Sequence, residues 1–346
     1  MTSIPRLYAL GLLACLACLM PVQVLALDRP WTFSLYFEND IFNDTDQNYT
    51  NGVRLTWISP DLSAYRDSDK LPGWSLPLIR RLPFINEPGL QRNIALSLGQ
   101  SMYTPQDLSR TDLIRDDRPY AGWLYAAVAF HSKSLRRLDS MEIQVGMAGP
   151  ASLAEPIQKR VHKWKDSPYP HGWDNQIKNE PGLVVVHERT WRSFQADLGS
   201  GMGFDFLPHV GGALGNVAAY LNAGMEFRLG LRLPSDFGTC PIRPGCETNA
   251  PLDKGHASHA AARDFGIHLF ASVDGRAVVR DITLDGNTFT DSHSVDRRPF
   301  MGEAAAGMSL VAGRFKISYT QVFQTKTFYG QKDSHAFGSV SVSFTY

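Results

Sequence analysis

The chain has 346 residues, and its 34 Lys plus Arg balance 34 Asp plus Glu, so the formal net charge is zero. With no basic stripe either, the charge pattern excludes the electrostatic footprint of a nucleic-acid-binding protein. Length alone admits two soluble domains or one large barrel and does not choose between them.

Residues 1–26 read as a secretory signal peptide: a short polar start containing Arg6, an apolar run from Leu7 to Leu19, then Pro21 and the small-residue end Val24-Leu25-Ala26. The apolar run is too short for a membrane span. Cys15 and Cys18 leave with this segment. The remaining pair, Cys240 and Cys246, lies in a Pro/Gly-rich loop of an exported chain, where a local disulfide is favoured. A metal site there would need further ligands, and only Asp236 and Glu247 are close in sequence.

Beyond the signal there is no apolar run of the ~18 residues that a membrane helix needs. Instead, stretches of about ten residues carry apolar side chains at every second position and are rich in aromatics and glycine. The C-terminal run Gly338-Ser-Val-Ser-Val-Ser-Phe-Thr-Tyr346 alternates without a break and ends on an aromatic. This predicts an all-β fold: residues 27–346 form a single integral outer-membrane antiparallel β-barrel of about twelve strands. The expected strands are about 31–39, 50–58, 92–101, 121–132, 138–147, 182–191, 193–203, 217–232, 264–275, 299–310, 314–324 and 337–346.

With a periplasmic N-terminus, the outer connections are 40–49, 102–120, 148–181, 204–216, 276–298 and 325–336. Most polar motifs fall in the first three of these and so share one rim. The inner connections 59–91 and 233–263 exceed the short turns usual on that side, so they are expected to be surface-lying insertions or to hide a missed strand. The Pro-rich part, 72–88, is read as an ordinary capping loop in preference to a segment dipping Trp74, Leu76, Leu78 and Phe84 into the interface.

The third outer connection contains a helix signal. Ser152 with Glu155 three residues on reads as a capping box. Gln158 and His162 are then i and i+4 on one face, Ile157, Val161 and Trp164 form a neighbouring face able to pack on the barrel wall, and Pro168 and Pro170 end the helix. A histidine on a helix over an aqueous rim can serve as general base. His171, His131 and His209 have no such setting.

The run Phe37 to Gly52 is dense in oxygen ligands of the kind a hard cation takes. Asn39 and Asp40 can supply metal oxygens or hold a carbonyl. Asp44 to Asn48 reads as an Asx-rich turn, because the glycine and glutamate positions of an EF-hand are missing. No Gly-x-Ser-x-Gly elbow is present, and the glycines at 200–203 and 211–215 lack a phosphate-loop lysine. Arg118, entering the fourth strand, can pair with a lipid phosphate or, more ordinarily, with a rim carboxylate.

Several motifs together resemble one family. They are Glu-Asn-Asp (38–40) with Tyr-Thr-Asn-Gly (49–52), Tyr-Thr-Pro (103–105) with Asp-Arg-Pro-Tyr-Ala-Gly-Trp-Leu-Tyr (117–125), Gly-Pro (149–150) with Gln158 and His162, Gly-Trp-Asp-Asn-Gln (172–176) and Leu-Asp-Gly-Asn-Thr-Phe (284–289). In this order, across the whole mature chain, they resemble the lipid A 3′-O-deacylases. The resemblance implies an outer-membrane barrel that hydrolyses an ester-linked acyl chain of lipid A and requires calcium. It also implies a site of His162 as base on water with Asn39, Asp40 and Thr50, and Gln158 one turn before the histidine; from the residues themselves, Asp40 is expected to hold part of the Ca2+ shell and Arg118 is a candidate substrate contact. The expected partner is lipopolysaccharide, and the expected state a monomer. The competing expectations are a non-catalytic pore or surface-interaction barrel, and a phospholipase of the same chemistry.

Overall fold

The computed structural model describes residues 31–43, 45–62, 87, 89–239, 241–243, 245 and 265–346. The signal peptide, Cys240, Cys246 and residues 72–86 with their aromatic side chains lie outside these residues. The strands are β1 (Thr32–Asn39), β2 (Asn48–Ile58), β3 (Gln91–Thr104), β4 (Ala121–Lys133), β5 (Arg137–Ala148), β6 (Glu180–Trp191), β7 (Phe194–Gly199), β8 (Met202–Gly215), β9 (Ala218–Leu231), β10 (Phe265–Asp281), β11 (Phe300–Ala312), β12 (Phe315–Gln324) and β13 (His335–Thr345). Among the described residues two α-helices, α1 (Ala154–Lys165) and α2 (Ile282–Asp285), lie in the connections after β5 and β10.

All neighbouring strands are antiparallel, in the order β6-β5-β4-β3-β2-β1-β13-β12-β11-β10-β9-β8-β7, and a further pairing of β6 with β8 closes the sheet. Without β7 the ring has twelve strands. β7 prolongs β6 past a break at Arg192-Ser193 and pairs with the first half of β8. The expected strand at 193–203 therefore divides between β7 and the start of β8, and the expected outer loop 204–216 is strand. Pro208 and the glycines Gly211 and Gly212 hid that strand from an alternation count. Both chain ends meet at one rim, where Trp31 and Tyr346 exchange backbone hydrogen bonds of 2.8 Å.

The alternation is inverted relative to a soluble protein. In β1, Thr32, Ser34, Tyr36 and Glu38 point into the barrel, whereas Phe33, Leu35 and Phe37 point out. Ser34 meets Ser343 of β13 through a 2.9 Å hydroxyl contact inside. Leu96, Leu98, Val145, Leu183, Leu221, Leu269 and Phe323 stand exposed on the outside. A polar lumen with an apolar outer band is what hydrocarbon solvent selects, since closure pairs the strand backbones and only apolar side chains meet lipid.

The connection between β9 and β10 departs most from expectation. Its described part is not a surface insertion: residues 236–239, 241–243 and 245 bond to side chains inside the barrel. Thr239 N donates to Glu226 at 3.1 Å, Ile242 N to Glu38 at 2.6 Å and Gly245 N to Glu142 at 3.2 Å. Arg54 donates to the Arg243 carbonyl at 3.3 Å and pairs with Glu142 at 3.0 Å, while Arg243 pairs with Asp274 at 3.2 Å. Asp236 sits between Arg228 and Lys316, the latter at 2.6 Å, and Phe237 packs on Leu138 and Leu207. A lumen lined with carboxylates and guanidinium groups is thus neutralised by a strap bonded to strands all round it.

Removing one partner of a buried ion pair costs about 3–5 kcal/mol because the other charge is left uncompensated. Asp236→Ala, which takes the carboxylate from Lys316 and one of the two carboxylates paired with Arg228, should therefore lower the temperature at which the folded, fast-migrating barrel band disappears on heated gel electrophoresis, whereas an Asp→Ala change at exposed Asp291 should leave it unchanged.

Candidate active site

Outward-facing residues at the helix-bearing rim are not all exposed. On β3, Leu96 and Leu98 face out and are exposed, but Met102 and Thr104, further along the same face, are buried. What covers them is α1 together with the loops after β3 and β5: Met102 packs with Leu108, Tyr120, Ala154 and Trp173. The helix is therefore strapped to the outer wall of the barrel rather than suspended over its mouth.

Two local features allow this close approach. Gly122, paired with Met102, leaves room for Ser152 and Ala154, both of which a Cβ at that position would overlap. Gln100 Nε2 donates to the Ser152 carbonyl at 2.6 Å. The expected capping box is not formed. Ser152 closes a short 3₁₀ turn, Leu153 in the left-handed region (φ 62°) precedes the helix, and no side chain caps it. Glu155 pairs instead with Lys159 at 2.6 Å and accepts from Gln176 at 3.2 Å. The helix ends at Lys165, where Asp166 turns left-handed and its N–H returns to the His162 carbonyl, ahead of Pro168.

The face of α1 turned to the wall is polar. Ala154, Gln158 and His162 are its buried residues, whereas Ile157, Val161 and Trp164 are 42%, 43% and 73% exposed. The expectation that these three pack on the wall is overturned, since partners for Gln158 and His162 lie there. Trp173, fully buried in the Gly172–Asn175 turn, donates Nε1 to Gln158 Oε1 at 2.7 Å. Gln158 Nε2 donates to Asp46 Oδ1 at 3.1 Å. Asp46 Oδ2 lies 2.8 Å from His162 Nε2, and His162 Nδ1 lies 2.6 Å from the Pro168 carbonyl.

A carbonyl only accepts, so Nδ1 carries a proton, and Nε2 is the nitrogen whose charge state can change. Burial opposes the imidazolium, but Asp46 and the Pro168 carbonyl outweigh it and hold the His162 pKa above its ordinary value.

Beneath the helix lie the other residues expected at the site. Asn39 and Asn51 form a cross-strand pair on the outer face of β1 and β2, and Asn39 Oδ1 accepts from Ile41 N at 2.9 Å. The β2–β3 register slips between Tyr49 and Asn51, and this bulge turns the Thr50 hydroxyl onto that of Thr104, 2.7 Å away. Asp40 is buried in a 3₁₀ turn and accepts from Gln47 N at 2.6 Å. Burial raises its carboxyl to about 9 against that hydrogen bond, and the nearby Asp46 carboxylate adds to the rise. Among the described residues no Lys or Arg pairs with Asp40, and no three His, Cys, Asp or Glu side chains gather as a metal cage.

Asn39, Asp40, Thr50, Gln158 and His162 thus share one patch of outer wall, and Asp46 joins its two halves. The sequence reads Asp46 as part of an Asx-rich turn and Gln158 as sharing a helix face with His162. Gln158 in fact holds Asp46, which holds the ring. The missed signal was an acidic residue across from an i, i+4 Gln/His pair, a match that only the folded turn aligns. Arg118 does not belong to this patch. It is 3% exposed, lies 4.6 Å over the lumen-facing Tyr103 ring and donates to Thr283 Oγ1 at 2.8 Å, so it is neither on the lipid face nor paired with a rim carboxylate.

A closed barrel with a polar lumen, an apolar exterior and a histidine-bearing helix on its lipid-side wall defines an integral outer-membrane protein. The chain belongs to the LpxR family: residues 10–346 match the family described as outer membrane protein LpxR. No curated protein matches the sequence. In three dimensions it is similar to LpxR from Salmonella typhimurium, with a TM-score of 0.70 at 18% identity over 90% of this chain and 99% of that one, a likeness of fold. The β domain of the Bordetella autotransporter BrkA (0.43, 7%, 92% and 99%) and the translocator domain of NalP from Neisseria meningitidis (0.38, 8%, 98% and 94%) are more distant barrels that carry no argument.

Gly122→Leu should lift the start of α1 from the wall without disturbing the ring of strands. The expected outcome is faster modification of His162 by diethyl pyrocarbonate, read by peptide mass spectrometry, at an unchanged heat-unfolding temperature.

Proposed function

We propose that the protein is a lipid A deacylase, hydrolysing an ester-linked acyl chain of lipid A, the 3′-O chain on the family resemblance, with His162 as general base. The observation that carries this reading is the position of His162: buried between helix and outer wall, level with the end of the lipid-facing band, where a membrane lipid reaches it sideways. Family membership and the motif resemblance support the substrate class. A pore is disfavoured by residues 236–239, 241–243 and 245, which occupy the lumen and bond to its walls.

In the arrangement described, both nitrogens of His162 face acceptors, which is the geometry of the imidazolium. Rotation of the Asp46 carboxylate, which Gln158 steadies through its other oxygen, opens Nε2 to a water. Nε2 then takes a proton as the water oxygen adds to the ester carbonyl, and it returns that proton to the alkoxide when the C–O bond breaks, giving a free fatty acid and a sugar hydroxyl. Asp46 stabilises the transient imidazolium, while the Pro168 carbonyl keeps the ring oriented through Nδ1. Thr50 and Asn39 present a hydroxyl and a carboxamide to the same face for positioning the ester. The buried Asp40 carboxyl, lacking a cationic partner, fits a hard ion: with backbone and substrate oxygens it would hold Ca2+, which when bound polarises an ester carbonyl.

General-base catalysis contributes ~10²–10⁴ in rate. His162→Gln should accordingly lower deacylation by about that factor, with folding retained; mass spectrometry of lipid A from cells expressing wild type or variant measures the lost acyl chain. Unchanged lipid A with released lysophospholipid would identify a phospholipase instead. Treatment with a calcium chelator should abolish wild-type activity, and added Ca2+ should restore it.

Because Asp46 helps to hold the His162 pKa up, and the base form is the deprotonated one, activity should fall as pH drops through that raised pKa. Asp46→Asn removes the raising contact, so the acid limb of its pH–rate profile should move to lower pH, alongside a lower maximal rate. An acid limb that stays in place would remove His162 as the titrating base.

A further inference from the structure

The three faces of α1 remain to be accounted for. One, Ala154, Gln158 and His162, is spent on the wall. A second consists of Ile157, Val161 and Trp164, spaced i, i+4, i+7, with Leu153 continuing it toward the N-terminus at 53% exposure. A third carries Arg160 and Lys163, both exposed. A monomeric soluble surface does not order its exposed residues this way, since an apolar stripe beside a basic one gains nothing in water.

The position of the helix says what covers the apolar stripe. The helix starts over β3 and β4 and ends over the β1–β2 turn, so it runs along the rim on the outside of the barrel. Met102 lies beneath it, and the next outward residues down β3 are Gln100, bonded to the Ser152 carbonyl, then the exposed Leu98 and Leu96. A strand rises about 3.3 Å per residue, so Leu98 lies roughly 7 Å along the strand from Gln100. An α-helix with its side chains has a radius of about 5 Å, so the flank of α1, tied to Gln100 through the Ser152 carbonyl, comes close to Leu98. Phe42, in the turn under the helix end, is 42% exposed and packs on outward-facing Tyr319, extending the same band.

We propose that α1 is an interfacial helix: Ile157, Val161 and Trp164 insert at the boundary between headgroups and acyl chains of the surrounding leaflet, continuous with the barrel's apolar band, while Arg160 and Lys163 face its anionic headgroups. The lipid surface thus holds the outer flank of the helix as the wall holds the inner one, and the site between them opens toward membrane lipid. The inference rests on the burial pattern of α1 and on the membrane barrel, and it stands or falls apart from the deacylase reading.

The test is tryptophan quenching on the full-length barrel refolded into vesicles of phosphatidylcholine and phosphatidylglycerol, with folding checked by heat-modified gel mobility. The Trp164 signal is the difference between wild type and Trp164→Phe. Its expected behaviour is a blue-shifted maximum, loss of most of its emission when the vesicle lipid is brominated high on the acyl chain, and protection from aqueous acrylamide. Lys163→Trp in the Trp164→Phe background should behave in the opposite way, quenched by acrylamide and little affected by bromolipid. Acrylamide quenching of Trp164 without bromolipid quenching would overturn the proposal. So would protection from both quenchers, which would mean that protein covers the stripe.

Discussion

Closure of the sheet by the β6–β8 pairing is the constraint on which the remaining architecture depends. In hydrocarbon an unpaired backbone N–H or C=O costs several kcal/mol, so a membrane sheet must leave no edge. Once the ring closes, each residue of a strand faces either lipid or lumen. The lumen of a twelve-stranded ring is too narrow for a wide channel yet too polar to collapse on itself. Residues 236–239, 241–243 and 245 resolve this by bringing backbone groups and the charges of Asp236 and Arg243 to lumenal partners on β1, β2, β5, β9, β10 and β12. A filled lumen leaves the outer wall as the place where a site can meet a lipid.

The outer wall carries its own constraint, since a polar site must be shielded from lipid tails. Helix α1 does this with its polar face. Gln158 and His162 are buried because Trp173, Asp46 and the Pro168 carbonyl meet each of their hydrogen-bonding groups that faces inward. The helix gains little from apolar burial on that side, and its apolar residues are left on an outer flank. A chain that binds lipid on one side of a helix and performs polar chemistry on the other requires this inversion. The bulge at Thr50 turns its hydroxyl onto that of Thr104 on the outer wall.

Much of the barrel was legible because membrane strands obey a period of two that water-soluble loops do not. β1, β4, β5 and β13 were placed to within about two residues. The failures have physical causes. β8 contains Pro208, Gly211 and Gly212, which are tolerated where its neighbours supply the outer surface but which erase alternation, so a strand was taken for a loop. Arg118 reads as a rim residue, pairing with a lipid phosphate or more ordinarily a carboxylate, because a charged residue at a strand end usually is exposed; the lumen, invisible in the sequence, offers Tyr103 and Thr283 instead. The apolar stripe of α1 was expected to pack inward by the rule for soluble proteins, and lipid reverses that rule.

The amino-acid sequence by itself determined the all-β membrane class, the closed antiparallel ring, the presence of a helix in the third outer connection and the pairing of Gln158 with His162 on one helical face. Each of these follows from local periodicity, which neighbouring residues carry among themselves. The motif order also pointed to the family to which the chain belongs. Only the tertiary structure decided which face of α1 meets the wall, that Asp46 joins the helix to the first turn, and that the described start of the β9–β10 connection bonds inside the lumen. These depend on contacts between residues more than a hundred positions apart, such as Gln158 with Asp46 and Ile242 with Glu38. Such contacts are selected by the complementarity of buried hydrogen-bonding groups, which leaves no periodic trace in the chain.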